Sequence, residues 1–164
     1  MIKILLNINL IIILFSTNAN SIEMRCQFEE VYSSGQAEQG LLLLKENKIR
    51  YEYLDRNLFT IFAKNKEFFI VRNNQLNHFQ KINENNEVIY YLLNIAANFP
   101  DIDSEYRNND LTIKIEKNFN DQFVKRMSIK SDKVNLSIYF NTCEKIKIHE
   151  RFFNHSPYFN YEYR

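Results

Sequence analysis

The sequence predicts a mainly β, α+β fold in which a curved antiparallel sheet buries one face beneath a single helix. Most of the chain after residue 21 consists of short segments rich in strand-forming residues, and several of them alternate apolar and polar residues. Clusters of Ser, Asn, Lys and Gly separate these segments and are typical of turns. One segment instead repeats its apolar residues at helical spacing. An antiparallel sheet with one apolar face needs a covering element, and this helix supplies it.

Six strands are predicted before the helix. The alternation is clearest where Ile49, Tyr51 and Tyr53 are interleaved with Arg50 and Glu52, which makes one face apolar and the other charged. The predicted strands in this part of the chain are residues 24–32, 41–44, 49–53, 58–63, 67–72 and 76–82.

The helix is predicted over residues 86–99. Its apolar residues fall on one face, and Pro100 ends it. A polar loop is expected at 101–110. Alternation then returns, and it predicts further strands at residues 111–115, 127–129, 134–140, 145–150 and 158–163.

The first twenty residues have the layout of a secretory signal peptide. Lys3 precedes an apolar run at 4–15, and a stretch of small polar residues follows at 16–21. The apolar run is too short to span a bilayer comfortably. Cleavage near residues 19–21 is expected to leave a single domain at 21–164. The alternative is an uncleaved anchor or a buried first helix.

Charge and cysteine content limit the classes of partner. The chain holds 21 Lys and Arg against 20 Asp and Glu, so nothing in its charge points to a nucleic-acid partner. An oxidising compartment favours a disulfide between Cys26 and Cys143, and two buried free thiols are the alternative. Two isolated cysteines do not form a metal site. No metal or other cofactor is therefore predicted.

The sequence offers no catalytic constellation. Glu29 and Glu30 are neighbours in a strand, so their side chains point to opposite faces of the sheet. The histidines are scattered and have no Ser or Cys at a spacing that suggests a triad: His78, His149 and His155. We therefore expect a protein that is not an enzyme.

The segment 39–53 resembles the most recognisable part of the LolA family of periplasmic lipoprotein carriers. In that family a glycine opens an apolar strand, a basic residue and a proline follow, and the next strand carries an apolar, basic, aromatic and acidic pattern. Here Gly40 opens the strand and residues 49–53 carry the pattern, whereas the proline is absent. The strands at 58–72 are similar to the family's paired strands, and the helix at 86–99 falls where the family has a lid helix.

The resemblance implies an open, strongly curved antiparallel half-barrel with a lid helix over its concave apolar face. It also implies a monomeric periplasmic carrier that takes acylated lipoproteins or other lipid from an inner-membrane exporter to an outer-membrane acceptor. The lipid-binding residues it implies are Leu41, Leu43, Ile49, Tyr51, Tyr53, Phe59, Ile61, Phe69 and Val71. The lid residues it implies are Val88, Leu92, Ile95 and Phe99, with Lys45 as the residue that contacts the lid.

The residues alone also allow simpler interpretations. Any half-buried strand shows an alternating apolar stripe, so the nine lipid-binding candidates could be plain core and the helix could be packed permanently. Lys45 could be a solvated residue of the sheet face, like Arg50 and Arg72. The alternative function is then an exported structural or adhesive β-protein with a closed aromatic core, and a secreted small-molecule binder of barrel type is a third.

Overall fold

A computed structural model describes residues 22–64, 67–75, 79–82, 87–117 and 123–154. The predicted signal peptide and the predicted strand at 158–163 lie outside these residues. The strands are β1 (Glu23–Tyr32), β2 (Ala37–Lys45), β3 (Lys48–Tyr53), β4 (Phe59–Lys64), β5 (Glu67–Arg72), β6 (Phe79–Ile82), β7 (Glu105–Asn108), β8 (Leu111–Lys117), β9 (Val124–Lys130) and β10 (Asn135–Lys145). The helix α1 (Glu87–Asn98) lies between β6 and β7, and a short 3₁₀ helix (Glu150–Phe153) follows β10.

All ten strands form one antiparallel sheet in the order β6-β5-β4-β3-β2-β1-β10-β9-β8-β7. Strands adjacent in sequence pair with each other, and the one long-range pairing joins β1 to β10. Within the described residues, β6 and β7 remain as the two edges, so the sheet is open. The predicted mainly β fold with an open antiparallel sheet and a helix is confirmed.

The sheet is strongly curved around α1. Tyr91 of α1 packs against Tyr106 of β7 with 4.9 Å between ring centroids, while Leu92 lines a cavity together with Ile61 of β4. Strands β4 and β7 are seven positions apart in the sheet, which is about 34 Å in a flat sheet. Adjacent residues of one helix can reach both strands only if the sheet curls, so α1 covers a concave face.

The strand register separates the residues of the concave and outer faces. Cys26, Leu42, Tyr51 and Ile61 lie opposite one another on successive strands and face α1. On the outer face, residues that follow β10 fold back over β2 and form a second apolar cluster, which includes Leu43, Ile148, Phe152 and Phe153. Strand β2 is therefore covered on both faces.

Several strand predictions differ from the structure. Strand β9 extends beyond 127–129 at both ends, and β10 continues past residue 140 to Lys145. Strand β2 is longer than predicted and starts at Ala37. The loop expected at 101–110 contains the edge strand β7, which the sequence did not reveal because its side chains are polar or partly exposed. The strand predicted at 145–150 is wrong: β10 ends at Lys145, and the residues after it leave the sheet to cover its outer face.

Cys26 and Cys143 form a disulfide across the central β1–β10 pair, with 4.1 Å between their Cα atoms. An irregularity in the register lies at this point, where β10 has one residue more than β1 and Thr142 adopts a positive φ of 47°. The bridge was left open by the sequence and is confirmed. It indicates a non-reducing environment outside the cytoplasm. No helix in the described ranges has the length and apolar character needed to cross a membrane.

Gly40 allows an aromatic ring to lie across β2. Phe28 of β1 is opposite Gly40, and its ring stacks on Tyr51 of β3 with 4.0 Å between centroids. A Cβ atom at position 40 would overlap both the Phe28 ring and the carbonyl oxygen of Glu52. The glycine that opens this strand is therefore required by close packing.

Replacing both cysteines by Ala is expected to lower the free energy of unfolding by about 3–5 kcal/mol in the chain-entropy model, because the bridge joins residues 117 positions apart. Urea unfolding of the double variant measures the loss, and reduction of the wild-type protein should reproduce it. Free thiols titrating in the native protein would contradict the prediction.

Gly40→Ala is expected to destabilise the fold by about 1–3 kcal/mol, because the methyl group overpacks a filled site. Gln39→Ala, at the exposed neighbouring position of β2, serves as the control and should change the free energy of unfolding little. Equal losses for the two variants would show that Gly40 has no special packing role.

Candidate functional site beneath helix α1

A cavity of about 170 Å³ lies between α1 and the concave face. Strands from both halves of the sheet contribute apolar walls, among them Ile61 from β4 and Ile138 from β10, while Val88 and Leu92 close it from α1. Val134, which is 41% exposed, marks the side on which the cavity meets solvent. The position between the helix and the open sheet makes this cavity the candidate site.

Larger clefts elsewhere in the described residues have a different character. One of about 420 Å³ lies on the outer face, and its lining includes Lys64, Glu67, Glu150 and Arg151. Such charged walls suit solvent, whereas small-molecule sites combine mostly apolar walls with a few well-placed polar groups. The cavity beneath α1 has that second composition.

The polar group of the cavity is a carboxyl surrounded by tyrosines. Glu30 is only 4% exposed. Tyr51 donates a hydrogen bond of 2.5 Å to its Oε1, and Tyr32 and Tyr53 each donate one of 2.8 Å to its Oε2. Both oxygens of the carboxyl therefore have hydroxyl partners, which hold it in one orientation. All four residues line the cavity.

The environment keeps these tyrosines protonated to a higher pH than an ordinary tyrosine. Burial, together with the Glu30 carboxyl, raises the pKa of Tyr32 to about 12. Burial and the same carboxyl raise the pKa of Tyr51 and of Tyr53 well above the ordinary value for tyrosine. Each hydroxyl can therefore act as a donor toward Glu30.

Stacked and edge-on aromatic rings hold the tyrosine hydroxyls in place. Tyr53 packs edge-on against Phe28, Tyr51 and Phe59, with centroid distances of 5.6, 5.5 and 5.2 Å respectively. Tyr51 in turn lies flat on Phe28, which occupies the space above Gly40. Strands β1 to β4 thus fix the hydroxyls, and the carboxyl has little freedom to rearrange its partners.

Five of the nine predicted lipid-binding residues lie on the concave face. Tyr51, Tyr53, Phe59 and Ile61 line the cavity. Ile49 is fully buried in the core of the same face.

The other four predicted residues lie on the outer face, so their grouping with Ile49 was wrong. Leu43 belongs to the cluster beneath the residues that follow β10, and Leu41 packs on that cluster. Phe69 and Val71 lie opposite Phe62 and Thr60, whose side chains alternate with the inward-facing Ile61. The four consecutive leucines of β2 gave no phase for Leu41 and Leu43, and the apolar run of β5 gave none for Phe69 and Val71.

Three of the four predicted lid residues lie on the face of α1 that packs on the sheet, and the fourth, Phe99, follows the helix. Val88 and Leu92 line the cavity. Ile95 is buried farther along the core, and Phe99, just beyond the end of α1, packs against Phe123 with 5.9 Å between ring centroids. These contacts fit both a lid and a permanently packed helix.

The predicted contact between Lys45 and the helix is wrong. Lys45 points to the outer face, where its Nζ lies 3.1 Å from Glu23 and 3.3 Å from Glu150 and donates a 2.8 Å hydrogen bond to the Ile148 carbonyl oxygen. The residue ties β2 to the segment that follows β10, on the side of the sheet opposite α1.

Arg50 is buried, which overturns its interpretation as a solvated residue. It is 3% exposed, lies 2.7 Å from the Glu52 carboxylate and donates a 3.3 Å hydrogen bond to the Phe152 carbonyl oxygen. Its guanidinium also sits over the Phe62 ring at 5.3 Å. The residues after β10 cover Arg50. The alternation of residues within β3 could not predict this cover, because it comes from a distant part of the chain. Arg72 is exposed, as expected.

Sequence reasoning missed Glu30 and Tyr32 as site residues. A signal was present, because Met24, Cys26 and Phe28 alternate in β1 and put Glu30 in phase with the buried face. An acidic residue in the inward phase of an apolar stripe points to a special environment.

No protein-family model matches the chain, and no curated protein matches it in sequence. Among the described residues there is also no group of three or more His, Cys, Asp or Glu side chains arranged to hold a metal ion. The geometry of the cavity is therefore the basis for a functional proposal.

The tyrosine cluster is expected to make the protein sensitive to alkaline pH. Between the ordinary pKa of about 10 and the raised pKa of about 12, the unfolded chain loses the Tyr32 proton while the native state keeps it. The free energy of unfolding therefore falls as pH rises through this range. Tyr32→Phe should reduce the slope in urea unfolding, whereas Tyr90→Phe, at a 53% exposed position, should not. An unchanged slope in Tyr32→Phe would contradict the assignment.

Proposed function

We propose that the protein is a periplasmic carrier that binds acyl chains between α1 and the concave face of its sheet. The observation that carries the proposal is the apolar cavity at this position, which has walls from the helix and from both halves of an open sheet. An exported chain with a disulfide suits the periplasm. The resemblance of segment 39–53 to LolA-type carriers supports the same function.

Binding a full acyl chain requires α1 to move. The cavity of about 170 Å³ is smaller than the roughly 300–1,000 Å³ of typical ligand pockets. A chain that enters must therefore displace side chains of the helix from the sheet. The proposal assigns α1 the role of a lid.

The energies of lid opening and of chain binding are of similar size. The buried aliphatic residues of α1 include Ile89, Leu92 and Ile95, and together they contribute about 5–9 kcal/mol to the packing of the helix. An acyl chain of about 16 carbons gains about 12 kcal/mol when its methylenes are buried at about 0.8 kcal/mol each. The chain can thus replace the helix against the sheet, and the closing of the helix offsets a large part of the cost of releasing the chain.

The cargo proposed is an acylated lipoprotein or another lipid. A carrier of this kind receives its cargo from an inner-membrane exporter and delivers it to an outer-membrane acceptor. Both partners are met transiently, and the carrier works as a monomer. Without cargo, such a carrier must keep its apolar face covered, because an exposed apolar patch favours aggregation in water.

Displacement of a fluorescent acyl probe tests the proposal. The wild-type protein should bind the probe saturably, and Val88→Asp should weaken binding at least about tenfold, because a charge at the cavity wall must be desolvated against the chain. The matched control is Tyr90→Asp. Tyr90 is 53% exposed on the solvent side of α1, so the same charge at this position should leave binding unchanged.

Circular dichroism must show that both variants keep the wild-type fold. Absence of saturable binding by the wild-type protein would reject the carrier function and favour an exported structural β-protein whose core is closed. Equal weakening by the two substitutions would place the chain somewhere other than the cavity.

A further inference from the structure

We propose that Glu30 recognises a cationic head group, so that the cavity prefers acyl ligands that carry a primary ammonium close to the chain. This inference rests on the proposed acyl-carrier function and names the ligand class of that site. Its basis is a buried carboxyl that lines an apolar cavity and that has no basic side chain within 4 Å among the residues the structure describes.

In its ionised form, a carboxyl as buried as that of Glu30 requires a compensating charge. A carboxylate removed from water is costly unless it is paired and hydrogen-bonded. Glu30 is 4% exposed, yet among the described residues no Lys, Arg or His nitrogen lies within 4 Å of its carboxyl oxygens. Its partners are three neutral hydroxyls.

The buried ionic residue of the outer face, in contrast, has a partner of opposite charge. Arg50 is 3% exposed and is paired with Glu52 at 2.7 Å. The exposed and half-buried acids Glu23 and Glu150 also have lysine partners. The carboxyl beneath α1 is thus the buried acid of the described residues that has no basic side chain beside it, and it also lines the cavity.

The hydrogen-bond geometry leaves room for a ligand donor. A carboxylate offers about four acceptor positions. Tyr32 and Tyr53 both donate to Oε2, whereas Tyr51 alone donates to Oε1. An ammonium that reaches Oε1 would complete the set and supply the missing positive charge. The hydroxyls meanwhile hold the carboxyl toward the cavity.

The same geometry discriminates between head groups. A neutral hydroxyl can donate one hydrogen bond to Glu30 but brings no charge. A carboxylate head brings a second negative charge into an apolar site and is disfavoured. Two natural sources share the favoured chemistry of an ammonium beside acyl chains, namely a phospholipid with an ethanolamine head and an acylated protein with a free amino terminus.

The test compares three ligands with the same ten-carbon chain. Decylammonium, decanol and decanoate compete for a fluorescent acyl probe on the exported protein, below their micelle concentrations. Decylammonium is expected to bind at least about tenfold more tightly than decanol, which corresponds to ~1.4 kcal/mol, and decanoate is expected to bind most weakly.

Glu30→Gln should abolish the preference for decylammonium over decanol while it leaves decanol binding in place. The matched control is Glu29→Gln, because Glu29 carries the same charge on the opposite face of the same strand. The preference should survive in that variant. If Glu30→Gln does not fold, the comparison of the three ligands on the wild-type protein still decides the question.

The outcomes separate this inference from the proposed function. Equal affinity for decylammonium and decanol overturns the head-group inference and leaves the carrier function standing. Failure of all three ligands to displace the probe, or of the probe to bind, overturns both.

Two further comparisons of ligands identify the natural source of the ammonium. The first compares the affinity for short-chain phosphatidylethanolamine with that for the corresponding phosphatidylglycerol. The second compares the affinity for a diacylated cysteine peptide with a free amino terminus with that for its acetylated form. The pair in which the ammonium form binds at least about tenfold more tightly names the cargo. If neither pair shows the preference, the ligand class proposed here is wrong.

Discussion

The structure depends on one constraint: most strands of a ten-stranded sheet place apolar side chains on the same face, and a single helix must help to remove that face from water. A flat sheet of ten strands is about 43 Å wide, whereas α1 with its 12 residues is about 18 Å long. The sheet therefore curls, so that residues from β4 and from β7 both reach the helix. The disulfide between Cys26 and Cys143 lies at the middle of that curve, where the first and last strands pair. The curvature of the sheet and the cavity beneath α1 both follow from the small area that a single helix can cover.

Within the apolar face, the Glu30 cluster is a polar site built by neighbouring strands. The absence of a side chain at Gly40 lets Phe28 lie flat on Tyr51, and the packed rings aim the tyrosine hydroxyls at the carboxyl. A closed structural core would gain stability from an apolar residue at position 30, since a buried charge without a counterion is expensive. In the proposed head-group recognition, the packing of β1 to β3 holds this carboxyl at the cavity, where no basic side chain of the described residues lies within 4 Å of it.

The sequence predicted the fold class and most strands because one face of the sheet is apolar and the pattern has the period of a strand. It could not assign the faces of β2, because residues that follow β10 cover the outer side and turn an alternating pattern into four consecutive leucines. The same cover explains why Arg50 was mistaken for a solvated residue. The lid contact of Lys45 was instead implied by the family resemblance, and Lys45 points to the outer face. The edge strand β7 was missed because its exposed residues look like a loop. The alternation of β1 places Glu30 on the buried face, so its position could have been predicted. Tyr51 and Tyr53 come from β3, and only the strand register brings them to its carboxyl.

The central claim is that this protein holds acyl chains beneath α1, and native mass spectrometry of the protein isolated from the periplasm tests it most directly. The account predicts a co-purified acylated species, released when the protein is denatured. A clean mass of the protein alone that stays unchanged after incubation with acylated lipoprotein and with phospholipid would contradict the account.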